Sequence, residues 1–242
     1  MTQPEPQKNH IQTMFGGIAH RYDVLNHLLS LGLDFHWWRE MAKAADAKQG
    51  VRILDVASGT GDSALALAKR GAYVVTSDFT MPMLALGPKK FKLGGVADLI
   101  LGSVGADAQR LPFRDSSFDA LTICYGIRNV EHREKAYAEF NRVLKPGGKL
   151  VILEFSRPRR KWLRLLYSAY SRYLLPKVGG WISGDKNAYT YLPESIKRFP
   201  SQPDLALELK NAGFVDVTWR DMCFGIVAIH ISKSQTNSAL KS

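Results

Sequence analysis

Between residues 9 and 48, apolar positions recur at helical spacing through Ile18, Tyr22, Leu25, Leu28 and Leu29, which predicts amphipathic helix. Gly32 interrupts the run, and a second helix is expected from about Asp34. The period then changes. Residues 51–56 (VRILDV) predict a short β-branched strand, 59–62 (GTGD) a turn, and 63–70 a helix with an Ala/Leu face. Further strands are expected at 72–77, 99–101, 118–125 and 149–155, with a helix running from 81 towards 90 and another over 133–144. Strands alternating with helices predict an α/β fold: a mostly parallel sheet with helices on both faces.

The C-terminal pattern differs. Residues 204–212 read as a helix closed by Gly213, and 215–219 with 226–232 as an antiparallel hairpin. Residues 157–203 have no place in a minimal alternating sheet. The expected division is therefore a helical cap over 1–48, a core over 49–156 and a basic helical lid inserted at 157–203. A helix and hairpin over 204–233 complete the core, and 234–242 form a disordered tail.

Composition narrows the class. With 45% apolar and 23% charged residues, the chain reads as an ordinary globular protein rather than a collagen-like or disulfide-rich one. Cys124 and Cys223 are its only cysteines, which suggests a reducing compartment and argues against structural zinc. The first residues lack the apolar core of a secretory signal. No stretch reaches the ~18 uncharged apolar residues of a transmembrane helix. A cytoplasmic protein is expected. The net charge of +11 is localised: residues 157–198 hold ten Lys/Arg against two acids. Such a region implies an acidic partner surface.

The strongest chemical signal is residues 54–62, LDVASGTGD, between a strand and a helix at the sheet edge where such folds bind ligands. Gly59 and Gly61 let the backbone approach a ligand, and the helix start offers free N–H groups. The spacing G-x-G-x-x-A also fits a dinucleotide fingerprint, so the glycines leave NAD and other nucleoside cofactors open. A carboxylate at Asp55 would repel a pyrophosphate but suits a cationic ligand. Asp78 ends the second strand, where an acid can accept both ribose hydroxyls; it also reads as a helix cap. Asp107 can accept from an adenine amino group while the Ala108 N–H donates to the ring.

These stretches, ILDVASGTGD, SDF, DAQRLPF, FDALTICYG and LKPGGKL, fall in the order and spacing of class I S-adenosylmethionine-dependent methyltransferases. The chain resembles most closely the ubiquinone/menaquinone biosynthesis C-methyltransferases, through residues 15–39, 111–158, 188–200 and 212–232. The resemblance covers all but the tails. It implies a Rossmann-like class I methyltransferase sheet with a C-terminal antiparallel hairpin, residues 49–156 being the S-adenosylmethionine-binding core. It places Thr60 at the methionine part of S-adenosyl-L-methionine, Asp78 at the ribose, and Asp107 and Ala108 at the adenine. Arg128 and Asn129 would line the substrate pocket. Arg128 stays charged and is a poor base, so its expected role is to hold a phenolate or position a water, and Asn129 would orient the quinol oxygen. Tyr22 and Asp23 would close the pocket, or simply pack the cap on the sheet.

The implied reaction is C-methylation of a polyprenylated quinol, demethylmenaquinol first among them, in menaquinone or ubiquinone biosynthesis. An NAD-dependent oxidoreductase and a methyltransferase for another small aromatic are the alternatives. Nucleic acid is not expected as a partner: the Asn/Asp-Pro-Pro-Tyr/Phe and Pro-Cys motifs of nucleic-acid methyltransferases are missing. No metal site is expected, because the six His form no HxxxH or HExxH motif. Surface or helix packing is expected for all six, His20 being the one candidate for a base. The segment 162–175 is apolar and aromatic with a basic rim. It reads as a lid and as a membrane-surface helix admitting the isoprenoid tail, so peripheral association with an anionic membrane is expected. A homodimer is left open.

Overall fold

The computed structural model describes residues 16–158, apart from 18, 20–22, 25 and 29, and residues 187–235, with backbone alone over 187–192. The segment 162–175, Tyr22, His20 and residues 236–242 of the tail lie outside the described residues.

The described residues between 16 and 28 are helical and lead into α1 (Leu33–Ala44). The core alternation follows: β1 (Arg52–Val56), α2 (Asp62–Ala68), β2 (Tyr73–Asp78), α3 (Met81–Leu84), α4 (Gly87–Leu93), β3 (Ile100–Gly105), β4 (Phe118–Cys124), α5 (Arg133–Val143) and β5 (Leu144–Phe155). After α6 (Asn187–Arg198) and α7 (Gln202–Asn211), β6 (Val215–Met222) and β7 (Val227–Lys233) close the fold.

Among the described residues, seven strands form one sheet in the order β3-β2-β1-β4-β5-β7-β6. β7 runs antiparallel to β5 and β6, and the other pairs are parallel. Side chains alternate across the sheet. Ile53, Val74, Ala120, Val151 and Leu153 therefore face α1 and α2, with Trp37, Trp38 and Met41 packed on them. Leu54, Leu121, Ile123, Leu150 and Ile152 face α5 and α7, under Tyr137, Phe140, Leu205 and Leu209. Each fully buried large side chain contributes about 1.5–3 kcal/mol. Burial on both faces explains why β1 and β4 read as nearly continuous apolar runs.

Three elements depart from the sequence pattern for a clear physical reason. The helix expected from 81 towards 90 is two helices, because Pro88 has no N–H to bond the carbonyl four residues back. β3 extends to Gly105, with alternating half-buried and exposed residues that suit an edge strand. β5 starts at Leu144, five residues early: Phe118 pairs with Leu144 but Ala120 pairs with Lys149, so 145–148 bulge out of the ladder. The end of α7 follows the expectation. The Phe214 N–H donates to the Leu209 carbonyl and the Gly213 N–H to the Lys210 carbonyl, closing the helix as a Schellman motif.

Among the described residues no helix is long and apolar enough to cross a membrane.

Candidate active site

The site begins where β1 ends. The chain turns sharply at Ala57, with φ of 52°, in a region that L-residues rarely occupy. The Ser58 N–H then donates to the Ser77 carbonyl at 3.0 Å, and the Gly61 N–H to the Ser58 carbonyl at 2.9 Å. Gly61 has φ of 93°, and a Cβ there would stand 2.5 Å from Phe91 Cζ; only glycine fits. A Cβ on Gly126, in the turn after β4, would stand 2.4 Å from Ala57 Cβ. The two turns therefore approach as closely as backbone allows, at the carboxyl edge of adjacent strands.

An open cleft lies at this edge, lined by Ala57, Asp78, Asp107, Ala108, Gly126 and Asn129 among others. Asp78 is 6% exposed. Its Oδ2 accepts the Gly59 N–H at 2.9 Å and its Oδ1 the Thr80 N–H at 2.7 Å. It fastens the glycine turn and the start of α3, and it faces the cleft. The Thr80 hydroxyl and the Phe79 N–H also bond this carboxylate, so a ribose diol would share it with the turn that it fastens. Burial pushes its carboxyl above the usual range, against the backbone hydrogen bonds. Asp107 Oδ1 accepts the Gln109 N–H at 3.0 Å, which holds the 107–109 turn open to the cleft.

Two expected cofactor contacts are committed elsewhere. Asp55 is fully buried; its Oδ2 accepts from Ser63 Oγ and its Oδ1 from Thr122 Oγ1, both at 2.6 Å. Asp55 and Thr122 are register partners on β1 and β4, so their side chains share a face. The carboxylate expected to face a cationic ligand sits beneath the turn instead. Burial drives its pKa up to about 7, with the charge of Asp78 adding to the rise and the two hydroxyls opposing it. Thr60 is 3% exposed. Its hydroxyl donates to Asp23 Oδ1 at 2.5 Å and accepts from Lys90 Nζ at 3.0 Å. Lys90 also donates to Asp23 Oδ2 at 2.7 Å and Asp62 Oδ1 at 2.6 Å. This clasp joins the N-terminal helical residues, the glycine turn and α4. Lys90 stands among Lys89 and Lys92, and nothing in their spacing singles it out.

Arg128 and Asn129 fall in a tight turn, Ile127–Asn129, after β4. Asn129 lines the cleft. The Arg128 side chain is only 4% exposed and pairs at 2.6 Å with Glu154, which is 2% exposed. Its guanidinium also donates to the Tyr125 carbonyl and lies 5.6 Å over the Phe155 ring. From sequence, Arg128 is expected to hold a phenolate or to position a water. Folded, its charge is already countered by Glu154. A charge inside the run VILEF was the available signal, since a buried carboxylate needs a partner. Burial raises the Glu154 carboxyl, and Arg128 opposes the rise. Behind this pair, Tyr125 and Phe155 pack 4.6 Å apart with Trp37 against both.

His27 packs on a helix as expected, whereas His230 departs from the expectation: it is buried on β7. His27 Nδ1 lies 2.6 Å from Asp34 Oδ2 with its ring stacked on Phe35, and His230 Nε2 lies 3.0 Å from the Gln202 carbonyl.

The donor set suits S-adenosyl-L-methionine. An acid at the end of β2 fits a ribose diol, Asp107 and the Ala108 N–H fit adenine, and a side-chain-free turn leaves room for a chain beside it. Pyrophosphate fits poorly against Asp78. A crystal structure of a methyltransferase that uses this cofactor, from Thermotoga maritima and described as a possible histamine N-methyltransferase, matches with a TM-score of 0.64 at 18% identity. The match covers 93% of this chain and 100% of that one. That likeness shows the fold, which is that of class I S-adenosylmethionine-dependent methyltransferases. Within that class, residues 1–234 match the model of the ubiE/COQ5 methyltransferase family, and the chain belongs to that family. A demethylmenaquinone methyltransferase of Streptomyces avermitilis is 45% identical over 93% of this chain and 95% of its own. A ubiquinone/menaquinone biosynthesis C-methyltransferase of Geobacter sulfurreducens is 44% identical over 91% and 86%. The dinucleotide alternative for the glycine turn is thereby set aside.

Proposed function

We propose that this protein methylates a ring carbon of a polyprenylated quinol, with demethylmenaquinol as the leading substrate. The observation that carries the reading is Asn129 on the wall of the cleft that also holds Asp78 and Asp107, with the Arg128–Glu154 pair one residue away. The names of the relatives supply the substrate class.

S-adenosyl-L-methionine supplies an electrophilic methyl group on a sulfonium. Asp78 holds the ribose hydroxyls, and Asp107 with the Ala108 N–H holds the adenine. Gly59 and Gly61 clear the space for the methionine chain. Thr60 serves by fastening the turn through the Lys90 clasp. A quinol carbon is nucleophilic in proportion to the electron density of its ring. The free phenol has a pKa of ~10, so donors that stabilise the phenolate raise the reactive fraction. Asn129 orients the quinol oxygen, and Arg128, held by Glu154, directs N–H groups rather than a free charge. The ring carbon gains a methyl in place of hydrogen, which leaves as a proton. Holding ring and methyl in line is much of the rate enhancement.

The isoprenoid tail partitions into a bilayer, so the reading includes work at an anionic membrane surface. Support comes from residues 157–177, with seven Lys/Arg and no acid, interleaved with Trp162, Tyr167, Tyr170 and Tyr173. Arg157 is spent otherwise: its guanidinium donates to the Lys197 and Phe199 carbonyls and ties the end of β5 to α6. The remaining cations lie outside the described residues.

The test is quinone profiling by mass spectrometry in a host lacking its own enzyme. Expression of this chain should convert accumulated demethylmenaquinone to menaquinone. Continued accumulation with the protein present and folded would contradict the reading.

A further inference from the structure

We infer that Glu154 is a positioning residue of the methyl-transfer site, acting through Arg128; this rests on the proposed function. Glu154 stands one residue before the end of β5 and is fully enclosed. Its Oε1 accepts from the Arg128 guanidinium at 2.6 Å and from the Phe155 N–H at 2.8 Å. Its Oε2 accepts the main-chain N–H of Arg128 at 3.3 Å. One carboxylate therefore grips a single residue at both ends, backbone and guanidinium.

The grip reaches the cleft in two ways. Holding the Arg128 N–H fixes the Ile127–Asn129 turn, and Asn129 lines the cleft. Holding the guanidinium sets its direction, with the Tyr125 carbonyl and the Phe155 ring as the other walls. Countering the charge also keeps Arg128 from drawing a substrate anion into a fixed ion pair.

A plainly structural explanation exists, since two buried charges must be paired. That explanation is weak on energy alone, because well-packed apolar residues replace buried ion pairs at little loss. It does account for the contact to the Arg128 N–H, since a buried main-chain donor needs an acceptor. What separates the two is whether Glu154 acts on turnover only while Arg128 is present.

The experiment compares wild type, Glu154→Gln, Glu154→Asp, Arg128→Ala and the double variant Arg128→Ala/Glu154→Gln. Glutamine keeps the shape but loses one of the two tethers. The expected result is a kcat about ten- to hundredfold lower for Glu154→Gln, with S-adenosyl-L-methionine affinity by calorimetry within about twofold of wild type. Glu154→Asp should recover part of the loss. In the Arg128→Ala background, Glu154→Gln should change kcat by less than about twofold, because coupled residues are not additive. Hydrogen exchange gives a readout independent of substrate: the amides of 127–129 should exchange about fivefold faster or more in Glu154→Gln, while those of Leu121 and Ile123 keep their rates. Unchanged kcat in Glu154→Gln, equal losses in both backgrounds, or unchanged exchange over 127–129 would each overturn the inference. A wild type that leaves the quinol unmethylated refutes the functional reading instead, and the exchange arm then decides the positioning by itself.

Discussion

The Lys90 ammonium lies 2.7 Å from the Asp23 carboxylate, across 67 positions of sequence, and closes the N-terminal helical residues onto the turn that shapes the cleft. Lys90 also meets Asp62 at 2.6 Å, and all three side chains are mostly buried. Burial raises the Asp62 carboxyl and Lys90 holds it down.

Replacing Lys90 by Met should remove three hydrogen bonds and leave two carboxylates facing each other. With the partial exposure discounted, the expected loss is about 1–3 kcal/mol of stability. Urea unfolding measures it directly. An unchanged midpoint would show that the clasp is a surface contact.

Asp55 predicts a pH dependence of stability. Its pKa of about 7 in the fold stands above the ordinary value of 3.8, so the folded state binds its proton more tightly than the unfolded chain does. That contribution is complete below the unfolded pKa and is lost as pH rises through about 7. Asp55→Asn keeps the shape and removes the titration. Relative to wild type, the variant should gain about 1–4 kcal/mol between pH 5 and pH 8. Equal pH slopes for the two proteins over that range would show that Asp55 does not titrate there.

Asp78→Asn weakens both duties of that acid, because each carboxylate oxygen accepts a backbone N–H and an amide can accept only one of them. One carbonyl oxygen can still accept the Gly59 N–H, while the charged acceptor facing the cleft is lost. S-adenosyl-L-methionine affinity should fall about ten- to hundredfold, in line with ~1.5–3 kcal/mol for a charged hydrogen bond. Calorimetry on the folded variant checks this, and affinity within about twofold of wild type would leave Asp78 as a fastening of the turn.

Much of the fold was legible because strand and helix periods differ and the breaks carry Gly or Pro. The order of elements, the hairpin and the Gly213 stop all follow from such local signals. The misread stretches have nonlocal causes. The bulge at 145–148 depends on how β5 pairs with β4, and β3 runs on because β2 offers it a ladder. The site divides in the same way. Position along a strand puts Asp78, Asp107, Ala108 and Asn129 at one edge, where the structure brings them to one cleft. It says nothing of partners far along the chain, so it could not reveal that Thr122 and Ser63 occupy Asp55, that Asp23 and Lys90 occupy Thr60, or that Glu154 occupies Arg128.

The basic segment bears on the membrane reading. Each cation near an anionic surface contributes ~1 kcal/mol, screened within a Debye length. Replacing Arg159, Arg160, Lys161 and Arg164 by Gln should lower co-sedimentation with anionic vesicles and slow methylation of long-tail quinols while sparing a tail-less analogue. Unchanged pelleting with equal rates on both substrates would remove the membrane from the account.

The central claim is methyl transfer to a ring carbon, and product analysis tests it most directly. Purified protein is incubated with S-adenosyl-L-methionine carrying a 13C-methyl group and with chemically reduced demethylmenaquinone, and the product is examined by NMR and mass spectrometry. One labelled methyl is expected on the free ring carbon of the quinone, with S-adenosylhomocysteine formed in equal amount. A label on oxygen, or cofactor binding without any labelled quinone, would contradict it.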